Sequence, residues 1–163
     1  MDALEFYYVD PQYIAYLQTI DPRVPNVVYP GQHEKMLCGV VFRMNDVSYY
    51  VPLSHNTRSS KANFTILDRT GASIASLRIQ YMIPVPRSVL TKVDIPLLMR
   101  KSPKYGNLVL KEYNFCNRPE SVGLIMRKAE RAYRISCDPA HSQHRFFCDF
   151  AALEAAMREY QTI

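Results

Sequence analysis

The chain has 163 residues, of which 48% are hydrophobic, and it carries a formal net charge of +5 with a sequence pI of ≈ 9.0. This length and apolar content are typical of one globular domain that folds without disulfide staples, and we expect a single domain over residues 1–163. The four cysteines are few and no charged-then-apolar leader opens the chain, so a reducing cytoplasm is the expected compartment. No apolar run reaches the length of a membrane span.

The positive charge is concentrated in one segment. Between Arg100 and Arg134, nine Lys and Arg side chains stand against three Glu, an excess larger than that of the whole chain. A solvated helix face rich in cations is one explanation. Contact with a nucleic acid is the interpretation that we favour. The candidate RNA-binding residues in this segment are Lys101, Lys104, Arg118, Arg127, Lys128, Arg131 and Arg134.

The predicted elements are mainly strands in the first half of the chain and helices in the second. We predict strands at residues 6–9, 36–44, 47–53, 64–67 and 73–83, and helices at 11–20, 87–92, 95–99, 104–116, 119–133 and 150–160. Asn45 and Asp46 favour a tight hairpin turn, and three prolines keep residues 21–32 out of regular structure. The predicted fold class is therefore α+β.

The most unusual stretch follows the third predicted strand. An ordinary turn is rich in Gly, Asn or Asp, whereas this stretch carries hydroxyls, an imidazole and two fixed cations. Such a composition is typical of a phosphate-binding site. Its candidate residues are Ser54, His55, Asn56, Thr57, Arg58 and Lys61.

These residue types suit the cleavage of RNA without a metal ion. That reaction requires removal of the 2′-hydroxyl proton, stabilisation of charge on the phosphate, and protonation of the leaving 5′ oxygen. His55 suits a proton transfer because an imidazole titrates near neutral pH, and Lys35 with the two cations of the loop suits charge stabilisation. The loop hydroxyls would orient the phosphate. Alternatively, His55 is a surface residue, Lys35 marks the end of a strand, and the hydroxyls bond turn amides.

A second group of reactive side chains lies near the end of the chain. Cys137, His141, His144 and Cys148 are residue types that bind zinc. Their spacing matches no common zinc finger, and Cys148 stands within the apolar sequence FFCDF, as a buried residue would. We therefore predict no metal and no other cofactor.

Four stretches of the first half resemble the ToxN/AbiQ family of endoribonuclease toxins from type III toxin-antitoxin systems, and most closely its CptN branch. They are FYYVDPQYIAYLQTIDPRVPN at 6–26, KMLCGVVF at 35–42, YYVPLSHNT at 49–57 and LRIQYMIPV at 77–85. Their order and spacing make the combination specific. Beyond residue 87 the resemblance is limited to length and helical character.

The resemblance implies both a fold and an activity. The fold would be a strongly bent antiparallel sheet with a barrel-like core, surrounded by helices. The activity would be metal-independent, sequence-preferring cleavage of RNA that leaves a 2′,3′-cyclic phosphate. A repeated, folded antitoxin RNA would inhibit the protein by binding it in a closed protein–RNA assembly.

The resemblance also implies site residues. The positions that match the family's active site are Tyr13, Lys35, Ser54 and His55. Where the family carries Thr-Ser-Pro-Lys, this chain has Ser-His-Asn-Thr, so His55 replaces a serine and Thr57 replaces a lysine. Either Arg58 supplies the missing cation, or the site is organised differently.

Two functions without catalysis stay open at this point. One is an inert RNA-binding module that uses the basic C-terminal helical surface. The other is a structural domain whose basic helices meet an acidic protein partner.

Overall fold

The computed structural model describes residues 2–56 and 60–161. The strands within these ranges are β1 (Glu5–Val9), β2 (Leu37–Met44), β3 (Val47–Ser54), β4 (Phe64–Leu67), β5 (Ser73–Leu77), β6 (Ile83–Pro84) and β7 (Leu90–Lys92). The α-helices are α1 (Pro11–Ile20), α2 (Ile95–Lys101), α3 (Pro103–Cys116), α4 (Pro119–Ser136) and α5 (Phe150–Gln161). None of the helices in the described ranges has the length and apolar character needed to cross a membrane.

The strands form one antiparallel sheet in the order β4-β5-β3-β2-β1-β7, and β6 pairs with β3. Strand β3 is central: it pairs with β2 along one side, and with β6 and then β5 along the other. Helices pack against this sheet around one hydrophobic core, which confirms the predicted α+β class. In the described structure the sheet stays open between β4 and β7, so "barrel-like" is a loose description of it.

The hairpin between β2 and β3 turns at the predicted residues. Asn45 and Asp46 have φ angles of 51° and 63°. A two-residue type I′ turn needs positive φ at both positions, and Asn and Asp tolerate this conformation better than most residues. Beyond the turn the register of the two strands shifts once, between Gly39 and Phe42, before the end of the pair that carries the site residues.

Helix α1 begins as its sequence predicts. The Asp10 carboxylate accepts a hydrogen bond from the backbone N–H of Gln12 at 2.9 Å, and Pro11 occupies the first helical position. The helices predicted at 95–99, 104–116, 119–133 and 150–160 are also confirmed, and their ends shift by at most three residues.

Two predicted elements are wrong. The strand expected at 73–83 ends at Leu77, because the chain turns through a 3-10 helix at Ile79–Tyr81 that buries Ile79 in the core before β6 begins. The helix expected at 87–92 is a 3-10 turn at Arg87–Val89 followed by β7. Here pairing with β1 overrides the local helical pattern.

Candidate active site

The site is built where β3 ends beside the start of β2. Leu37 pairs with Pro52, and the backbone N–H of Leu53 donates to the carbonyl of Met36 at 2.9 Å. Lys35 stands two positions before Leu37, and it lines one small cavity together with Ser54. His55 follows directly. The fold therefore brings Lys35, Ser54 and His55 together at one end of the central strand.

The imidazole of His55 is held by a buried carboxylate. Its Nε2 lies 3.1 Å and 3.0 Å from the two carboxylate oxygens of Glu112, on α3. The His55 side chain is 32% exposed and that of Glu112 is 0% exposed. The ring is thus held by the carboxylate and remains partly exposed to solvent.

Glu112 is a site residue that the sequence reasoning missed. It lies 57 positions from His55 in the chain, on a helix for which the family resemblance gives no residue match. One feature of the sequence could have identified it. Glu112 lies on the same helical face as Gly106, Val109 and Cys116, and it is the one charged residue among these buried positions. A carboxylate on such a face needs a buried partner, and the partner here is His55.

A cavity of ≈ 370 Å³ opens in front of His55 and is also lined by Lys35 and Glu34. Its wall includes the rings of His33 and Tyr105, which are parallel to within 5° with centroids 3.6 Å apart. Burial raises the pKa of the Glu34 carboxyl. Burial, with Tyr8 and Glu112 nearby, raises the pKa of Tyr105 to about 12.

A second, smaller cavity of ≈ 90 Å³ adjoins the first and shares Lys35 with it. Ser54 and Arg78 also line this smaller cavity. The Lys35 ammonium lies 5.7 Å from the centroid of the Tyr29 ring, a distance compatible with a cation–π contact. Lys35 therefore connects the side of the site that holds His55 with the side that holds Ser54.

Tyr13 does not join this group. Its side chain is 0% exposed, its hydroxyl donates to the carbonyl of Pro84 at 2.6 Å, and its ring packs against Tyr16 and Tyr160. Burial is the main cause that raises its pKa. The structure places Tyr13 in the hydrophobic core, and this position does not support the expected role in catalysis.

The remaining loop candidates divide into two groups. Thr57 and Arg58 lie outside the described residues. Asn56 is exposed, and its backbone N–H donates to the Ser54 hydroxyl at 3.1 Å. Lys61 is exposed as well.

The predicted RNA-binding cations lie on or next to three helices. Those with exposed side chains are Lys101, Lys104, Arg118, Arg127, Arg131 and Arg134. Lys128 is different, because it is half-buried and its ammonium donates to the carbonyl of Lys61 at 2.5 Å. Burial, with Arg131 nearby, lowers the pKa of Lys128. Lys128 thus ties α4 to the segment that follows the site loop.

The C-terminal cysteines and histidines are separated by burial. Cys148 is buried, Cys137 is exposed, and Nδ1 of His144 lies 3.3 Å from the carbonyl of Ile135. Over residues 2–56 and 60–161, the His, Cys, Asp and Glu side chains form no group of three or more that could hold a metal ion.

Comparison with known proteins gives concordant matches. The family model described as "Toxin ToxN, type III toxin-antitoxin system" matches residues 5–158. Endoribonuclease ToxN of Bacillus thuringiensis subsp. kurstaki is 32% identical, over 98% of this chain and 86% of its own length. Endoribonuclease AbiQ of Lactococcus lactis subsp. lactis is 29% identical, over 97% of this chain and 90% of its own length.

A solved structure agrees in fold over the whole chain. It comes from work on bacterial type III toxin-antitoxin systems and selective toxin inhibition by a non-coding RNA pseudoknot. The TM-score is 0.90 at 30% identity, and the match covers 99% of this chain and 100% of that one. The CptN branch stays a prediction. With the family model and the B. thuringiensis relative in agreement, this chain belongs to the ToxN family of toxins from type III toxin-antitoxin systems.

Proposed function

We propose that this chain is an endoribonuclease toxin that cleaves RNA at preferred sequences, needs no metal ion and leaves a 2′,3′-cyclic phosphate. The observation that carries the proposal is the His55–Glu112 pair, which presents an oriented imidazole to a cavity shared with Lys35. The names of the relatives support RNA cleavage as the activity.

His55 carries out one of the two proton transfers of this reaction. The 2′ oxygen of the ribose loses its proton and bonds to phosphorus, and the bond from phosphorus to the 5′ oxygen breaks as that oxygen gains a proton. General acid–base help of this kind contributes about 10²–10⁴-fold in rate. The Glu112 carboxylate holds the ring in one orientation.

Lys35 and Ser54 act on the phosphate itself. Negative charge grows on the non-bridging oxygens as the fifth bond to phosphorus forms, and a fixed ammonium next to them stabilises it. The Ser54 hydroxyl, which lines the same small cavity as Lys35, supplies a hydrogen bond that orients the group.

An antitoxin RNA made of folded repeats is the proposed partner, and the two would form a closed protein–RNA assembly. Support comes from the solved relative, which was studied as a toxin inhibited by an RNA pseudoknot. Support also comes from the exposed cations of the 100–134 segment, which suit a long phosphate backbone. We expect the protein to act in the cytoplasm, since its four cysteines are free thiols.

The test is incubation of the purified protein with a mixed RNA pool, once in EDTA and once in Mg²⁺, followed by mapping of the new ends. The proposal expects equal cleavage in both buffers, with 5′-hydroxyl and 2′,3′-cyclic phosphate ends. Cleavage only in Mg²⁺, or ends that carry a 3′-hydroxyl, would contradict it. RNA binding without any cleavage would favour the inert RNA-binding module instead.

A further inference from the structure

Arg78 is a cation next to the candidate active site that has no role in the proposed cleavage mechanism. Its backbone N–H donates to the carbonyl of Pro52 at 2.9 Å, directly beyond the pairing of Leu53 with Leu77. Paired residues of an antiparallel sheet point to the same face, as do residues two positions apart in one strand. Arg78 therefore shares its face with Ser54, and Lys35 lies close to both.

These three residues line one small cavity. Its volume is ≈ 90 Å³. Two cations and a hydroxyl face it, and none of its described lining residues is an Asp or Glu. Within the described ranges, neither Lys35 nor Arg78 forms an ion pair. A small space with this charge favours an anion.

The guanidinium of Arg78 has an unused donor. Its Nε is buried and has no hydrogen-bond partner among the described residues. The centre of the guanidinium lies 5.0 Å from the centroid of the Tyr81 ring, which supports one face of the group. Buried donors in folded proteins are normally satisfied, so this N–H calls for an acceptor. An oxygen of a phosphate provides that acceptor and balances the charge of the cavity.

We propose that Arg78 is a phosphate-binding residue, which grips a phosphodiester group of bound RNA together with Lys35 and Ser54. This role rests on the proposed nuclease function. It also gives the site a fixed cation from the residue that follows β5. The family resemblance expects a lysine at position 57, and this chain has Thr57 there. Arginine suits position 78 because its planar fork offers two parallel donors to one phosphate.

The first test observes the donor directly, in the wild-type protein. The Nε–H signal of Arg78 is followed by ¹⁵N NMR, is assigned through Arg78→Lys, and is titrated with inorganic phosphate against chloride at constant ionic strength. The proposal expects a saturable shift of this signal with phosphate and no such shift with chloride. A signal that phosphate leaves unmoved would overturn it.

The second test measures cleavage of the RNA pool in single-turnover experiments. Arg78→Gln is expected to lower the rate by about 10²-fold, the typical effect of removing one donor to a developing oxyanion. Arg78→Lys should restore only part of it, since it keeps the charge and loses the fork. The control is Arg69→Gln, the same change at an exposed arginine of the β4–β5 turn, which should cleave at the wild-type rate.

The two proposals fail in different ways. Suppose that the wild-type protein cleaves RNA, but phosphate leaves the Arg78 signal unmoved or the folded Arg78→Gln variant is fully active. The role of Arg78 would then be wrong, and the nuclease function would stand. If the wild-type protein cleaves no RNA but shows the saturable phosphate shift, the nuclease function would be wrong and the phosphate site would stand. If Arg78→Gln does not fold, the titration of the wild-type protein still decides.

Discussion

The two residues of the His55–Glu112 pair differ in how far the sequence revealed them. His55 stands out in the sequence, because an imidazole among hydroxyls and cations is unusual in a loop. Glu112 does not, because its role depends on how α3 packs beside the end of β3, and that contact joins distant parts of the chain. A buried carboxylate without a partner is energetically costly, so Glu112 stays paired with His55. The sequence does not reveal this pair, because the burial of Glu112 depends on the fold.

We predict that Glu112→Gln slows RNA cleavage by about 10–10²-fold and leaves RNA affinity unchanged, since Glu112 acts through His55 and does not touch RNA. Single-turnover rates and binding isotherms on the same RNA separate these effects. Glu112→Asp, which restores the carboxylate, should recover part of the rate.

The matched control for this prediction is Glu120→Gln, which removes the same charge from an exposed residue in the first turn of α4. It should behave as the wild type. If both variants fold and cleave alike, then Glu112 has no positioning role and the pair is only a structural contact.

Tyr13 is the opposite case at the same scale, because the sequence pointed to it and the structure places it in the hydrophobic core. The family resemblance matched its position in the chain, but a matched position carries no information about burial. In the structure its hydroxyl donates a hydrogen bond to the carbonyl of Pro84, and its side chain is fully buried. A tyrosine at the helical spacing of Ile14 and Leu17 is a core residue on physical grounds, as all three are buried here.

Helix α3 is the element on which the site depends most, since it carries both Tyr105 and Glu112. Its position is set by close packing against α2 at Gly106. A Cβ added at Gly106 would lie 2.5 Å from the backbone N and Cα of Met99. No real Cβ approaches backbone that closely, so glycine at this position keeps the two helices in contact and α3 in register with His55.

We predict that Gly106→Ala destabilises the fold by about 1–3 kcal/mol, because overpacking outweighs the better helix propensity of alanine. Cleavage should fall as well, since α3 must shift away from His55. Chemical denaturation and the cleavage assay measure the two effects.

Gly123→Ala is the control, on α4. There the nearest atom to the new Cβ is Nη1 of Arg127 at 3.2 Å, the far end of a flexible side chain. We expect it to be neutral or to stabilise the protein by up to about 1 kcal/mol. Equal tolerance of both substitutions would show that α2 and α3 are free to separate.

Elements with strong local signals were predicted, and strand β7, which lacks such a signal, was not. The caps of α1 and the periodic patterns of α3, α4 and α5 are local, and these helices have nearly the predicted ends. Strand β7 exists because its residues complete the edge of β1, with Val93 donating to the carbonyl of Phe6 at 2.9 Å just beyond it. No local pattern contains that information.

At the scale of the whole molecule, the excess of positive charge lies in the second half of the chain, whereas the candidate catalytic residues after β3 lie in the first half. The fold joins them through Lys128, whose ammonium binds the backbone of Lys61. Lys128 therefore has a structural role, and replacing it would remove this contact between α4 and residue 61. Arg127 and Arg131 on the same helix are exposed. Replacing these two arginines therefore tests RNA binding by the surface of α4 without removing the contact that Lys128 makes.

We predict that the double variant Arg127→Gln and Arg131→Gln binds all RNA sequences more weakly. The slope of the logarithm of affinity against the logarithm of salt concentration, which is negative, should become less steep by about 2, roughly one unit for each phosphate that an arginine no longer neutralises. Cleavage at saturating RNA should be unchanged. Binding isotherms at several salt concentrations measure the slope.

The control pair is Arg43→Gln and Arg69→Gln, two exposed arginines outside the 100–134 segment. This variant has the same net charge as the test variant. An equal reduction of affinity in both would show that only the net charge matters, and would contradict a localised RNA-binding surface on α4.

The central claim is that the imidazole of His55 transfers a proton during RNA cleavage. The most direct measurement is the single-turnover cleavage rate of His55→Ala on the RNA pool, with RNA affinity measured in parallel and His141→Ala as the matched substitution outside the site. We predict a loss of about 10²–10⁴-fold in rate for His55→Ala, unchanged affinity, and a normal rate for His141→Ala. A folded His55→Ala protein that cleaves RNA at the wild-type rate would contradict the account.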